Sequence, residues 1–300
     1  MSLPKCFMFS LHNWILAARP KTLVAAIVPV IVGAAYARGA ALEHWPILLC
    51  ALFSSLCIQI GTNFANDYSD FKSGADTAER LGPVRVTQAG LIEPARVKAG
   101  AMTAFGMAVA FGIPLIARGG WPILMIGVLS ILSGWAYTGG PFPLGYNGLG
   151  ELFVFLFFGL AAVVGTHYVL TLTWDPLVLV IAAIPGLHAS ALLAINNLRD
   201  VDTDRKAGKR TLAARFGRTF GRVEYTLLLL LPYLIIVLLA VFSHLKPYFA
   251  MPALASLALA YEALHIAYTK TDGPSLITAL SKTALVQLFF GIGFAIGLVL

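Results

Sequence analysis

Long runs of apolar residues, separated by short polar segments, recur along the whole chain. A helix needs about 20 mostly apolar residues to cross the hydrocarbon core of a bilayer. The pattern therefore predicts nine transmembrane helices in one bundle. The predicted spans are Thr22–Ala40, Trp45–Asn66, Ala95–Ala117, Trp121–Tyr137, Leu149–Leu172, Pro176–Leu198, Tyr225–Phe242, Tyr248–Tyr268 and Lys282–Leu300.

The spacing of these runs leaves no polar region long enough for a separate soluble domain. We predict an all-α polytopic membrane protein in which residues 1–300 form a single transmembrane domain. Composition agrees, because 59% of the residues are hydrophobic, only 12% are charged, and the mean hydropathy is +0.83. A soluble core of this size would not need so much apolar sequence.

The lysine and arginine residues fall almost entirely on one side of the predicted bundle. Nine spans place the N-terminus and every second loop on that side, which leaves only Arg38, Arg118 and Lys246 of the 21 basic residues opposite. Loops rich in lysine and arginine stay in the cytoplasm. We therefore predict an inner-membrane protein whose N-terminus and charged loops are cytoplasmic. The net charge of +7 then reflects topology and lipid contact, and no nucleic-acid partner is predicted.

Two clusters of asparagine and aspartate, at 66–76 and 196–204, form a pseudo-repeat. Asn-Asp-Tyr-Ser-Asp begins the first, and Asn-Asn-Leu-Arg-Asp begins the second. Each cluster closes a predicted span on the cytoplasmic side. Residues four positions apart share one face of a helix. The spacing therefore predicts two facing stripes of oxygen donors, formed by Asn66, Asp70, Asn196, Asp200 and Asp204.

Carboxylates that lie close together repel each other unless a cation lies between them. The hard oxygen donors of these residues suit Mg²⁺, which is usually held by one or two carboxylates together with substrate phosphates. Two clusters therefore predict a diphosphate bridged by metal, with basic side chains on the remaining phosphate oxygens. For the basic residues alone, a purely topological role is the alternative. The predicted contacts are Arg80, Arg85, Lys206, Lys209 and Arg210.

A diphosphate at the membrane edge of an apolar protein points to a substrate whose tail lies among the helices. Polyprenyl diphosphates form such a class. Metal ions and cationic side chains would stabilise the departing diphosphate, which leaves a carbocation-like allylic carbon. An electron-rich acceptor must then be bound nearby.

Several motifs resemble one enzyme family. NDYSDFKSGAD and DVDTD, with KAGKRTLAARFG after them, resemble the UbiA superfamily of intramembrane aromatic prenyltransferases. More narrowly, ARPKTL, DTAERLGPVRVTQAGL, YTGGPFPLGYNGLGELFVFLFFG and NNLRDVDTDRKAGKRTLA resemble the 1,4-dihydroxy-2-naphthoate polyprenyltransferases of menaquinone synthesis. The resemblance extends from about residue 18 to the end of the chain.

The resemblance implies a reaction. A polyprenyl chain would pass from polyprenyl diphosphate to 1,4-dihydroxy-2-naphthoate, with loss of CO₂ and diphosphate, to give demethylmenaquinol; Mg²⁺ is the implied cofactor. Another aromatic acceptor, such as 4-hydroxybenzoate, is the alternative. A secondary transporter is the alternative from another class, although transporters favour ionisable groups near the bilayer midplane, whereas both acidic clusters here lie at helix ends.

The resemblance also implies roles for particular residues. The implied metal ligands are Asn66, Asp67, Asp70, Asp76, Asp200 and Asp204, and the implied catalytic residues are Asp70, Asp200, Asp204 and Tyr137. The implied substrate contacts are Arg80, Arg85, Lys206, Lys209, Arg210, Asn196, Asn197 and Glu151. The chain departs from the family pattern at Gly74, where many members have a further aspartate, and the next carboxylate is Asp76.

Tyr137 and Glu151 flank a glycine- and proline-rich loop that contains no lysine or arginine. We predict that the ring of Tyr137 flanks the reactive carbon, where its π-face stabilises positive charge. The alternative is an aromatic anchor at the membrane interface. Glu151 is a carboxylate at the start of a span, and it is predicted to contact the aromatic acceptor or the metal site.

Overall fold

A computed structural model describes residues 11–74, 82, 84–242 and 251–300, with the backbone alone at 251–252. These residues form helices joined by loops, and no strand occurs among them. The predicted all-α class is therefore confirmed. The helices are α1 (Leu11–Ala18), α2 (Pro20–Ala37), α3 (Gly39–Glu43), α4 (Trp45–Lys72), α5 (Pro94–Gly119), α6 (Trp121–Ala136), α7 (Gly150–Thr171), α8 (Leu177–Lys206), α9 (Leu212–Phe216), α10 (Arg218–Phe242), α11 (Met251–Leu254), α12 (Leu257–Thr269) and α13 (Gly273–Val299).

Seven helices in the described ranges are long and apolar enough to cross a membrane, namely α2, α4, α5, α7, α8, α10 and α13. Helix α6 is equally apolar but has only 16 residues. The remaining predicted span, Tyr248–Tyr268, begins outside the described residues, and its described part forms α11 and α12. The chain is thus a multi-pass membrane protein.

Proline marks the start of several of these helices. Pro20, Pro94 and Pro274 each lie in the first turn of a long helix. A proline is tolerated there because its missing N–H group would have no partner within the helix. These prolines favour the start of a helix at each of the three positions.

Helix α8 lies at the centre of the bundle. It packs against α2, α7, α10 and α13, and it is the most buried of the long helices. Its contact with α7 is close, since a Cβ atom on Gly159 would lie only 2.7 Å from the Cα atom of Gly186. Small residues allow this approach between membrane helices. The π-helical segment Phe155–Ala161 of α7 lies at the same contact.

Helices α4 and α8 both continue beyond the spans that the sequence predicts. Helix α4 ends at Lys72 and helix α8 ends at Lys206, so each acidic cluster lies on the last turns of a continuous helix. Both ends reach the same end of the bundle, where Lys209 contacts Asp70. We call this the motif end.

Candidate functional site

Asp67 anchors the backbone at Val86 and Thr87. Its two carboxylate oxygens accept hydrogen bonds from the backbone N–H groups of Val86 (3.2 Å) and Thr87 (3.1 Å). Since Arg85 directly precedes these residues, the anchor directs its side chain toward Asp70. Asp67 therefore positions a basic residue of the site, and its role as a metal ligand stays a prediction.

Asp70 is as fully enclosed as Asp67, with 1% of the residue exposed. Arg85 donates from Nη2 to Oδ2 at 2.8 Å, and Tyr146 donates its phenol hydrogen to Oδ1 at 2.5 Å. The ammonium of Lys209 lies 3.6 Å from Oδ1. A buried carboxylate is costly unless it is paired and hydrogen-bonded, and these three groups provide both.

The second cluster presents two buried carboxylates. Asp200 is bound at both oxygens by Arg199, through Nε at 2.8 Å and Nη2 at 2.5 Å. Asp204, one turn further along α8, accepts a long hydrogen bond of 3.4 Å from Thr211. Thr211 also caps α9 by accepting from the backbone N–H of Ala214, so the cluster is joined to the next helix.

Lys209 joins the two clusters. After α8, Gly208 adopts a φ of 73°, a backbone conformation that favours glycine and turns the chain back toward the bundle. The backbone N–H of Lys209 then donates to the Asp204 carbonyl at 2.8 Å, while its side chain reaches Asp70. One residue therefore contacts both acidic clusters.

Tyr146 reinforces this junction from the loop between α6 and α7. Its ring lies under the Lys209 ammonium, 4.6 Å from nitrogen to ring centre, and its backbone carbonyl accepts from Arg210 at 2.7 Å. Because its hydroxyl also binds Asp70, Tyr146 connects the first cluster to the segment after the second.

Tyr137 lies at the start of the same loop. The loop packs closely on its ring, since a Cβ atom on Gly145 would lie 2.9 Å from the ring and one on Gly150 would lie 2.9 Å from the hydroxyl oxygen. The neighbouring Thr138 donates to Oδ1 of Asn66 at 2.8 Å. Tyr137 is thus held beside the first acidic cluster.

Glu151, at the first turn of α7, is buried against α8. Its Oε1 accepts from Nδ2 of Asn197 at 2.6 Å, and its backbone carbonyl accepts from Ser190 at 3.0 Å. Two residues that the sequence predicted as separate substrate contacts therefore bind each other. Together they form one buried polar patch, in which Asn197 precedes Asp200 of the second cluster by three residues on α8.

A cavity of about 270 Å³ extends into the bundle from the motif end. It follows α4 from Thr62 to Ala51, a distance of about 16 Å at 1.5 Å per residue. Tyr137 lies at its motif end, whereas Leu115 and Ile123 line its far end. Asn66 lies one helical turn from Thr62, so the cavity begins directly below the first acidic cluster.

The hydroxyl groups in the cavity wall do not make it polar. Four of the lining side chains donate their hydroxyl hydrogens to backbone carbonyl groups of their own or a neighbouring helix, and these are Ser54, Ser55, Ser130 and Thr166. Side chains that satisfy their hydrogen bonds in this way expose mainly carbon to the cavity. The cavity can therefore hold a hydrocarbon chain.

The structure brings most of the predicted site residues to the motif end, but not all to the same depth. Asn66, Asp67, Asp70, Arg85, Asn197, Asp200 and Asp204 are buried, as is Glu151. Asn196 and Lys209 are half-buried, while Lys206 and Arg210 are exposed. Asp76 and Arg80 lie outside the described residues.

Gly74, the departure from the family pattern, adopts a φ of 71°. A Cβ atom there would meet no other atom within 4 Å, so the constraint is the left-handed backbone and not lack of space. An aspartate at this position would be strained. The chain thus turns out of α4 four residues after Asp70.

Sequence reasoning missed two residues of the site. Tyr146 lies within the glycine-rich loop that the sequence singled out, and its place in that loop was the available signal. Arg199 was counted only as a basic residue of the cytoplasmic side, yet just 1% of it is exposed. Its place in NNLRD, directly before Asp200, was the only signal in the sequence.

The donor set fits a metal ion that is shared with a phosphate. In the part of the chain that the structure describes, no three histidine, cysteine or carboxylate side chains converge closely enough to hold a metal by themselves. The clusters offer hard oxygen donors, and Mg²⁺ is usually held by one or two carboxylates plus phosphate oxygens. The arrangement suits such a ternary site better than a cage made only of protein.

Comparisons with known proteins agree with this geometry. The sequence matches the UbiA prenyltransferase family over residues 26–298. A 1,4-dihydroxy-2-naphthoate octaprenyltransferase from Mycobacterium leprae is 36% identical over 96% of both chains. The protein of the same name from Mycobacterium tuberculosis is 37% identical over 96% of this chain and 97% of its own.

The fold is also found among solved structures. A UbiA homologue from Archaeoglobus fulgidus, bound to DMAPP and Mg²⁺, has a TM-score of 0.68 and covers 96% of this chain and 99% of its own. Its sequence identity is only 14%, so this likeness concerns the fold. The shared architecture confirms the predicted class of membrane protein.

Proposed function

Because this chain belongs to the UbiA prenyltransferase family, we propose that it transfers a polyprenyl chain from polyprenyl diphosphate to 1,4-dihydroxy-2-naphthoate. CO₂ and diphosphate are lost, and the product is demethylmenaquinol, an intermediate of menaquinone synthesis. The predicted class of enzyme, an aromatic prenyltransferase, is confirmed by the relatives. The observation that carries the mechanism is the meeting of a charged, buried site with an apolar cavity at Tyr137.

The diphosphate binds between the two acidic clusters in this proposal. The protein residues that would hold Mg²⁺ beside it are Asn66, Asp70, Asp200 and Asp204. When bound, Mg²⁺ would offset negative charge on the departing diphosphate. Arg85 and Lys209 lie beside Asp70, within reach of the same space, and donate to phosphate oxygens. Asp67 holds Arg85 in place through the backbone of its loop.

The prenyl tail occupies the cavity between α2, α4, α5, α6 and α7. This places the allylic carbon at the motif end of the cavity, next to Tyr137. As the C–O bond to diphosphate breaks, positive charge develops on that carbon, and the electron-rich face of the tyrosine ring stabilises it. The surrounding apolar wall excludes water that would otherwise trap the cation.

The aromatic acceptor must approach the same carbon. Glu151, in the first turn of α7, pairs with Asn197 of α8 and directly follows Gly150, which packs against the Tyr137 hydroxyl. The pair offers polar groups for the hydroxyls of the naphthoate. The ring then attacks the allylic carbon and CO₂ leaves.

We further propose that residues 1–300 act as one domain with the motif end in the cytoplasm. The support is the distribution of charge, because 18 of 21 lysine and arginine residues lie on that side of the predicted topology. A cytoplasmic site would give access to the soluble naphthoate and release diphosphate into the same compartment.

The test is prenyl transfer by the purified full-length protein in liposomes, with a long-chain polyprenyl diphosphate, Mg²⁺ and either 1,4-dihydroxy-2-naphthoate or 4-hydroxybenzoate. We expect demethylmenaquinol from the naphthoate alone, with no product after EDTA treatment. Product from 4-hydroxybenzoate alone would reassign the acceptor. No product from either acid would contradict the proposed activity.

We expect Tyr146→Phe to lower kcat/KM for the polyprenyl diphosphate by about tenfold. The variant keeps the ring under Lys209 but removes the hydroxyl that donates to Asp70, and a hydrogen bond to a charged group contributes about 1.5–3 kcal/mol. Steady-state kinetics at saturating naphthoate measure this.

The matched control is Tyr261→Phe, which removes the hydroxyl of a tyrosine that is 70% exposed on α12. It should leave kcat/KM unchanged. Equal kinetics for Tyr146→Phe and wild-type protein would show that Tyr146 does not organise the site.

A further inference from the structure

The carboxylates proposed as metal ligands are engaged by the chain's own cations. Asp70 is held by Arg85 and Lys209, and both oxygens of Asp200 are bound by Arg199. Arg199 occupies one lone pair on each oxygen, so a metal ion that binds the remaining lone pairs of Asp200 must lie close to a buried guanidinium. The pairing of Arg199 with Asp200 therefore affects how the site binds a metal ion.

Arg199 is unusual in its burial. It directly precedes Asp200 on α8, and only 1% of its side chain is exposed. Its third nitrogen, Nη1, is buried and has no hydrogen-bond partner in the described part of the protein. Arginine in such a place needs a partner for each donor, because unpaired buried N–H groups are costly. Nη1 of Arg199 can therefore donate a hydrogen bond to a bound group that is not part of the protein.

A phosphate oxygen matches the requirement of this donor. Arginine binds phosphate with two parallel N–H groups, and it cannot lose its proton to relieve its charge. A metal ion arriving alone at Asp200 would face the positive charge of Arg199 in a buried setting, where charges are poorly screened. A metal arriving with diphosphate would bring an anion that accepts from Arg199 as it leaves the carboxylate.

We propose that Arg199 is an internal counter-ion of Asp200, which makes metal binding at the second cluster depend on diphosphate. Arg199 neutralises Asp200 in the empty site and passes to the phosphate oxygens when metal and diphosphate bind together. Arg199 thus neutralises Asp200 in the empty site and contacts the diphosphate in the occupied one. This inference rests on the proposed function, since it assumes that the site takes a metal and a diphosphate.

The experiment measures metal binding and not catalysis. Purified full-length protein in detergent micelles is dialysed to equilibrium against Mn²⁺, a hard cation that substitutes for Mg²⁺ at oxygen ligands, with and without inorganic diphosphate. Wild-type protein should bind Mn²⁺ weakly alone and at least about tenfold more tightly with diphosphate. Thermal unfolding of each sample reports whether the variants are folded.

Arg199→Met should bind Mn²⁺ alone about tenfold more tightly than wild type, because the competing charge is gone. Its gain from added diphosphate should fall by a similar factor. A residue with only a structural role would not raise the affinity for free metal. Arg199→Lys keeps the charge but cannot bind both oxygens in the same fork, so we expect an intermediate rise, and this variant decides the question if Arg199→Met does not fold.

The matched control is Arg218→Met. Arg218 donates to the carbonyl of Leu198 and to the exposed Asp202, on the outer face of the same end of α8. Its removal should leave Mn²⁺ binding unchanged in both conditions.

Two results separate this inference from the proposed function. Tight Mn²⁺ binding by wild-type protein without diphosphate, or unchanged free-metal affinity in the folded Arg199 variants, would overturn the counter-ion role and leave the enzyme assignment intact. Wild-type protein that binds no Mn²⁺ even with diphosphate would contradict the proposed metal site, and the inference with it.

Discussion

Asp70→Asn and Asp200→Asn are each expected to lower the rate of prenyl transfer by at least about a thousandfold. Each change removes a negative charge from a buried cluster while nearly preserving its shape. The metal would lose an anionic ligand, and the departing diphosphate would lose part of the charge stabilisation on which such reactions depend. Single-turnover rates at saturating Mg²⁺ and both substrates measure the effect on the chemical step.

Asp202→Asn is the matched control for this prediction. Asp202 lies between Asp200 and Asp204 in sequence, but it is exposed and pairs with Arg218 on the outer face of α8. Exposed ion pairs contribute little, so the control should keep its full rate and stability. Activity within about tenfold of wild type in the folded Asp70→Asn or Asp200→Asn variant would refute the assignment of these carboxylates.

Gly112→Phe is expected to reduce turnover of a long-chain polyprenyl diphosphate about a hundredfold relative to geranyl diphosphate. Gly112 lines the cavity on α5, 18 residues and thus about 27 Å from the start of the helix at the motif end. A Cβ atom there would meet no other atom within 4 Å, so the new ring can enter the cavity without straining the backbone. Filling the far part of the cavity excludes a long tail and leaves room for a short one.

The control lies on the same helix. Gly106 also has open space around a Cβ atom, but it is exposed and does not line the cavity. Gly106→Phe should therefore keep the wild-type preference. Competition between the two diphosphates in one reaction, with both products quantified, gives the ratio directly. An unchanged ratio for Gly112→Phe would mean that the tail does not occupy this cavity.

Much of the fold could be predicted because it depends on properties that are local in sequence. Apolar length predicts a spanning helix whatever its neighbours are, and seven helices of sufficient length are found in the described residues. The repeat of asparagine and aspartate at a helical spacing predicted two stripes of oxygen donors at one end of the bundle, and the structure places Asp70 and Asp200 at the motif end, where both are buried. The predicted ends of α4 and α8 were less accurate, since polar residues continue both helices beyond the apolar runs.

The pairing of charges could not be predicted in this way. Asp70 meets Arg85, Tyr146 and Lys209, which lie 15, 76 and 139 residues away in sequence. Which cation reaches which carboxylate depends on how the loops fold over the helix ends. The inward direction of Arg199 was equally hidden, because an arginine after a membrane span usually faces solvent or lipid head groups.

Composition, apolar periodicity and motif spacing thus determined the class of protein, most of its membrane spans and the two oxygen-rich clusters. Only the tertiary structure decided which counter-ions neutralise those clusters and where the hydrocarbon cavity lies. The physical reason is that lipid and protein interior are equally apolar, so a cavity-facing Gly112 and an outward-facing Gly106 look alike in sequence. A cavity is a gap between helices, and its position follows from their packing.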